Sequence, residues 1–139
     1  MTHPPELLRT MVNSLDRYDA CVASRFISAR GMKDAPLHRI LIGKFANSFS
    51  CCLIRSPVRN NTGGFRACPA DIVRAMAIQE IGFAVQLEIM TKLLRKKAHF
   101  TEIPFLLVNR EIGTSKLRYI KTIPKYLKRV LHLLAIQWL

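Results

Sequence analysis

The sequence predicts an α/β domain, and three observations carry that reading. Two short apolar runs, Asp19 to Ser24 (DACVAS) and Phe100 to Val108 (FTEIPFLLV), have the length and composition of strands. Longer stretches around them repeat apolar residues at helical spacing. The elements alternate as αβα, a loop, αα, β and α, the order of helices packed on a sheet. So few strands make a poorly protected sheet, and the pattern alone predicts an incomplete one.

Taken in order, Pro4, Pro5 and Glu6 open a helix over about Pro4 to Leu15, with Leu7, Leu8, Met11, Val12 and Leu15 on one face. Asp19 to Ser24 is a strand buried on both faces, and Ser24-Arg25 sets polar groups at its C-terminal end, where open α/β sheets bind ligands. Pro36 to Ile54 returns to helix, with Leu37, Ile40, Leu41, Phe45, Phe49 and Leu53 apolar and Arg39, Lys44 and Asn47 placed elsewhere. Arg59 to Gly64 (RNNTGG) is turn chemistry, and Phe65 to Cys68 is a short extended piece. Pro69 opens a helix to about Ile78, Gly82 interrupts, and a further helix runs from Phe83 to Lys97, ending in cations. Pro104 puts part of the Phe100 strand at an edge. Asn109 to Lys116 is a loop, and Leu117 to Trp138 is a basic amphipathic helix bent at Pro124.

A chain of 139 residues suits one domain with a core of its own. Half of it is hydrophobic and 22% charged, which excludes disorder. Its 22 Lys and Arg against 9 Asp and Glu give a net charge of +13. Such a surface attracts polyanions: nucleic acid, anionic headgroups or a phosphorylated substrate. No helix-turn-helix, zinc or aromatic RNA-binding signature is present, so no nucleic-acid partner is expected. Cys21, Cys51, Cys52 and Cys68 form no C-x-x-C pair and read as reduced, mostly buried thiols of a cytosolic chain. His3, His38, His99 and His132 are scattered, so no metal site is read from this chain. No secretory signal and no run of about 18 apolar residues is found, so no segment reads as crossing a membrane.

Five blocks together resemble the family 2 glycosyltransferases that use a polyprenyl-phosphate acceptor, the dolichol-phosphate mannose synthase type. They are THPPELL at Thr2 to Leu8, ASRF at Ala23 to Phe26, NNTGGFRAC at Asn60 to Cys68, GFAVQLEIM at Gly82 to Met90, and EIPFLLVNREIGTSK at Glu102 to Lys116. Their order and spacing are similar to the family's over nearly the whole chain. The resemblance implies a partial GT-A fold, a Rossmann-like α/β sandwich, with residues 1–139 as its C-terminal, acceptor-side portion. It implies transfer of a hexose, mannose or glucose, from a nucleotide-sugar to dolichyl or undecaprenyl phosphate. In the family an Asp-x-Asp motif for a divalent metal, Mg or Mn, directly precedes the THPPE-like text. The resemblance therefore places the metal ligands outside this chain, ahead of Met1, with roughly 60–100 residues of nucleotide-cradling βα units at about 30 each. The fragment is expected to be inactive by itself and to work with that N-terminal half or a transmembrane subunit. The alternative is a non-catalytic, truncated or mis-started fragment that stays on the membrane.

The same resemblance assigns roles. Ser24 and Arg25 would contact phosphate through the guanidinium fork, and Arg39 would face the lipid phosphate. Thr62, Gly63 and Gly64 form a turn near the acceptor, where glycines let backbone approach a ligand closely. Gln86 and Glu88 would face the active centre, Glu88 as the carboxylate near sugar or acceptor. Arg110, Ser115 and Lys116 would close over the donor phosphates as a cationic flap. The helices Pro36 to Ile54 and Leu117 to Trp138 resemble interfacial helices resting on the cytosolic face of the bilayer, with Lys121, Lys125, Lys128 and Arg129 toward anionic lipid. Asn60 stands where the family often has Asp. The reaction itself needs electrostatic stabilisation more than a strong base, because a phosphate acceptor is already an oxyanion.

Overall fold

A computed structural model describes residues 5–28, 37–82 and 84–106, with the side chain of Arg39 outside that set. The elements are α1 (Glu6–Ser14), β1 (Ala20–Ser24), α2 (Leu37–Ile54), β2 (Arg66–Ala67), α3 (Ala70–Arg74), α4 (Ala84–Arg95) and β3 (Phe100–Pro104). The predicted flap at 109–116 and the predicted terminal helix from Leu117 lie outside the described residues.

β1 is the middle strand of a sheet ordered β2-β1-β3. It runs parallel to β3, with Ala20 opposite Phe100 and Ser24 opposite Pro104, and antiparallel to β2, with Cys21 opposite Ala67. Side chains alternate across a strand, and both faces of β1 are covered. Cys21 and Ala23 face Met11 of α1 together with Phe105. Val22 faces Leu87 and Met90 of α4, Ile54 at the end of α2, and Val58. Ala20 packs against Leu93 and Met76. All five residues of β1 are buried, as a strand sandwiched between helical layers requires. The result is a small mixed α/β sandwich, consistent with part of a Rossmann-like fold.

Helix ends follow local chemistry. Pro5 occupies the N-cap of α1, with Glu6 in the first turn. α2 and α4 both end in a left-handed residue, Arg55 (φ 49°) and Lys97 (φ 55°). Each allows a pair of closing hydrogen bonds: Ser56 N to Cys51 O at 3.0 Å, and Ala98 N to Leu93 O at 3.1 Å, with a tighter bond inside each. Two boundaries and one burial differ from the sequence reading. α3 stops at Arg74 instead of about Ile78, because residues 77–80 are held in another conformation by α4, as described below. β3 ends at Pro104, opposite Ser24, where its partner strand β1 also ends. Cys52 is exposed, not buried, because it lies on the outer face of α2; all four thiols are free.

α2 presents an unexpected distribution. Leu37, Leu41 and Phe45 are 70%, 58% and 76% exposed, and Phe49 joins them, its ring stacked 6.4 Å from that of Phe45. The buried face instead carries Asn47 and Ser50, and only near its end does Ile54 reach the core. Asn47, read from the sequence as lying off the packed face, is an interior residue.

This packing sets a contrast. Leu87→Ala, which empties space between α4 and β1, is expected to lower stability by about 2–5 kcal/mol. Leu41→Ala on the outer face of α2 is expected to change it by less than about 0.5 kcal/mol. Urea denaturation followed by far-UV circular dichroism measures both.

Candidate functional site

The polar residues singled out in the sequence gather where β1 ends. Ser24, the last residue of β1, is fully buried, and its hydroxyl bonds to nothing among the described residues. Its carbonyl accepts from Phe105 N at 3.3 Å, which carries the chain beyond β3 past the same point. Arg25 turns back over Phe26, its guanidinium carbon 5.0 Å from the ring centroid. One guanidinium nitrogen lies 3.7 Å from where a Cβ on Gly43 would stand. Gly43 thus leaves α2 thin where it passes Arg25, and a side chain longer than Ala at 43 would compete with the guanidinium for the same space.

The RNNTGG turn packs between β1 and α2 on side-chain amides. The Asn60 amide nitrogen donates to Ala23 O at 2.8 Å, its carbonyl oxygen accepts from Gly63 N at 3.1 Å, and its backbone N–H donates to the Glu102 carboxylate at 3.1 Å. Asn61 N donates to the Asn47 side-chain oxygen at 2.9 Å, and the Asn47 amide donates to Arg59 O. Ser56 Oγ donates to the Asn61 side-chain oxygen at 2.8 Å, and the Asn61 amide donates to Cys51 Sγ at 2.8 Å. Asn47, Asn60 and Asn61 are all buried, so the bonds they make are what keeps them from being a large desolvation cost. Burial pushes the Cys51 thiol up, which keeps it neutral within this network.

The two glycines are fixed by neighbours. A Cβ at Gly63 would sit 2.4 Å from the Asn60 amide nitrogen, so any other residue there must displace the Asn60 side chain from its bonds. A Cβ at Gly64 would stand 3.3 Å from the Gln86 amide, which puts Gln86 directly over the turn. Arg66 closes the arrangement: its guanidinium donates to Gly63 O, to Asn61 O at 3.2 Å, and to Gln86 O at 3.0 Å. Thr62 Oγ stands 3.5 Å from the Asn47 oxygen.

Gln86 and Glu88, expected as a pair, are separated. Residues two apart on a helix point to different sides. Glu88 is 2% exposed and faces away from the glycine turn, beneath the 77–80 loop. Its oxygens accept from Gln79 N at 3.0 and 3.1 Å, from Glu80 N at 2.8 Å, and from Lys92 Nζ at 2.6 Å, while Lys92 also donates to Ala77 O. These bonds take the loop out of α3. Burial pushes the Glu88 carboxyl up, but the Lys92 ammonium and the two backbone N–H groups outweigh it and hold the carboxyl below its ordinary value.

The structure therefore brings together Ser24, Arg25, Thr62, Gly63, Gly64 and Gln86, and sets Glu88 apart. The Arg39 side chain and Arg110, Ser115 and Lys116 lie outside the described residues. Asn47, Asn61, Arg66, Gly43 and Glu102 were not singled out by the sequence reading as site residues. The NN-T-GG-F-R text was the available signal for Asn61 and Arg66; Asn47 had none. The divalent metal that the resemblance implies finds no ligand set here. Among the described residues no three His, Cys, Asp or Glu side chains gather, and the oxygens of Glu88 are already engaged. No chemical step is assigned to a metal.

Against this geometry stand the comparisons. No family model matches the chain. Three curated proteins are similar to it. The polyprenol monophosphomannose synthase of Mycolicibacterium smegmatis is 24% identical over 120 residues, which are 84% of this chain and 45% of that protein. The dolichol-phosphate mannosyltransferase of Pyrococcus furiosus is 29% identical over 138 residues, 96% of this chain and 38% of that protein. The undecaprenyl-phosphate mannosyltransferase of Micrococcus luteus is 27% identical over 119 residues, 84% of this chain and 49% of that protein. The chain thus spans less than half the length of each relative. Over most of its own length it is similar to mannosyltransferases of the polyprenyl-phosphate type, the type its five sequence blocks resemble.

The Glu88 contacts set a pH dependence. A carboxyl held below its unfolded value contributes stability that is complete above that value, about 4.3, and lost as pH falls through the lower folded value. Urea midpoints of the wild type should therefore drop below about pH 4.3. Glu88→Gln, which cannot accept the same set of bonds, should be less stable by about 1–3 kcal/mol at neutral pH, and its midpoint should fall less in acid.

Proposed function

We propose that this chain is the acceptor-side portion of a GT-A glycosyltransferase domain. That domain transfers a hexose from a nucleotide-sugar to a polyprenyl or dolichyl phosphate at the cytosolic membrane surface. One observation carries the reading: the glycine turn, the Ser24-Arg25 strand end and Gln86 converge at the C-terminal end of β1, where α/β sheets hold ligands. The likeness to three polyprenyl-phosphate mannosyltransferases supports the lipid phosphate as acceptor and mannose as the sugar.

In this reading Arg25 presents its guanidinium fork to a phosphate, in the space that Gly43 leaves open. The Gly63-Gly64 backbone approaches the same group without a side chain in the way. Arg66 is spent on carbonyls and holds the turn to α4, which aims Gln86 at the sugar or acceptor. Arg39 adds a second cation toward the lipid phosphate. Arg110, Ser115 and Lys116 cover the donor phosphates. Glu88 acts through the 77–80 loop that it holds rather than by touching substrate. The acceptor oxygen is anionic before it attacks, so positioning and positive potential supply more than proton transfer does. The divalent metal and the nucleotide belong to residues beyond this chain.

The apolar face of α2 supports the membrane surface as partner. No helix among the described residues is long and apolar enough to cross a bilayer. Leu37, Leu41, Phe45 and Phe49 nevertheless form one exposed stripe, which suits a helix lying in the interface of an anionic membrane, given the charge of +13.

Two experiments test the reading. Joined to the nucleotide-binding half of a homologous mannosyltransferase, the chain should transfer labelled mannose to polyprenyl phosphate. Arg25→Ala should lower kcat/KM about 100-fold. No lipid-linked sugar with any common donor sinks the enzymatic assignment. Separately, Phe45→Asp with Phe49→Asp should weaken sedimentation with anionic phosphatidylglycerol vesicles at least about tenfold while leaving the melting curve in place. Undiminished binding removes α2 from the interface.

A further inference from the structure

We propose that Asn47 is a positioning residue that couples the seat of α2 on a bilayer to the placement of the glycine turn. The bilayer half rests on the function proposed above; the anchoring of the turn does not. Asn47 is 4% exposed, and its amide is used in both directions. The nitrogen donates to Arg59 O, the oxygen accepts from Asn61 N at 2.9 Å, and Thr62 Oγ stands 3.5 Å from the same oxygen. One buried helical side chain thus holds the first half of the RNNTGG turn. Arg66 bonds to Asn61 O, Gly63 O and Gln86 O, so what Asn47 fixes is passed on through Gly63 to the residue above the turn.

The opposite side of the same helical turn carries the apolar stripe. Phe45 and Phe49 stand two residues before and two after Asn47, and positions two apart on a helix point to different sides. The two rings stack on the outside, 76% and 39% exposed, while the amide points in. Both arrangements need this stretch of backbone to be helical. Unwound, the rings lose their common face, and the amide loses its register with Arg59 O and Asn61 N. Among the described residues of α2, the apolar core receives Leu53 and Ile54 at its end. Little apolar burial therefore keeps the stretch from Phe45 to Phe49 closed, and segments held in this way open locally at low free energy. An apolar surround for the two rings favours the closed helix by mass action. Asn47 bonds to the turn from the closed helix, so the same shift orders residues 58–63 without their touching lipid. The coupling is reciprocal: a ligand that orders the glycine turn strengthens the hold of α2 on the bilayer. The turn is then set in place at the surface where a lipid phosphate lies.

The test follows amide hydrogen exchange of the whole 139-residue chain as wild type, Asn47→Ala and Ile54→Val, with and without phosphatidylglycerol vesicles. With lipid at about ten times its half-saturating concentration, wild-type exchange should slow about tenfold in residues 41–52 and in 58–63 alike. Without lipid, Asn47→Ala should speed exchange in 58–63 about tenfold. Its rings are intact, so vesicle affinity should stay within about threefold of wild type. Vesicles should then slow its 41–52 segment and leave 58–63 unchanged. Ile54→Val loosens the apolar anchor of α2 without touching the amide, and should keep the slowing in both segments. Wild-type slowing confined to 41–52 overturns the coupling, and this arm needs no substitution should Asn47→Ala fail to fold. Slowing of 58–63 that persists in Asn47→Ala overturns it too, because the turn then senses lipid by another route. If wild type does not bind the vesicles, the interfacial reading of α2 fails and the coupling with it. The lipid-free comparison still decides the anchoring, which unchanged exchange in 58–63 overturns.

Discussion

Strand β1 has no wet face. Cys21, Val22, Ala23 and Ser24 show 0% exposure, with α1 on one side, α4 and the end of α2 on the other, and a strand along each edge. A strand in that position can carry no polar side chain along its length, so its chemistry is pushed to its end, where the ladder stops and carbonyls and N–H groups need partners. The amide of Asn60 takes Ala23 O, and the chain after β3 takes Ser24 O. Those two attachments hold the glycine turn and the chain after β3 to the end of β1, and Arg66 ties the turn to Gln86 of α4. The site is therefore only as well placed as β1 is packed, which ties the apolar core to the geometry of Arg25 and the glycine turn.

α2 meets the same constraint from the opposite direction. Its inner face is not apolar; Asn47 and Ser50 are buried there, with Ser50 Oγ donating back to Ala46 O at 2.8 Å. A helix that buries amides and exposes phenylalanines gains little from hydrophobic burial, at about 25 cal/mol per Å² of apolar surface. What holds it is the hydrogen-bonded network to residues 56–62 and the contact of Ile54 with the core. The exposed stripe then represents unrealised burial, about 1.5–3 kcal/mol for each large side chain that finds an apolar surround. The stacked Phe45 and Phe49 rings are part of that stripe.

The core and the order of elements were legible because they depend on local periodicity. The run DACVAS could hardly be anything but a buried strand, and the apolar spacing of α1 and α4 shows which residues turn inward. The family resemblance pointed to the glycine turn and to Ser24-Arg25, and the two do converge. What stayed hidden depends on contacts distant in sequence. Whether Asn47 faces in or out follows from Asn61, fourteen residues later, and not from the helix pattern. Glu88 reads as one half of a pair with Gln86, yet a two-residue offset on a helix sends them to opposite sides, and the loop that claims Glu88 has no distinctive text. The early end of α3 has the same cause, since the bonds to residues 77–80 come from α4.

The distribution of charge completes the physical picture. The chain has 9 acidic residues against 22 basic ones, and two of the acidic side chains, Glu88 and Glu102, are turned to backbone N–H groups of the loops beside the site. Glu88 is further matched by Lys92. Carboxylates used in this way anchor backbone: Glu102 holds the start of the glycine turn through Asn60 N, and Glu88 holds the 77–80 loop. The turn itself is built from amides, which bond in both directions without charge.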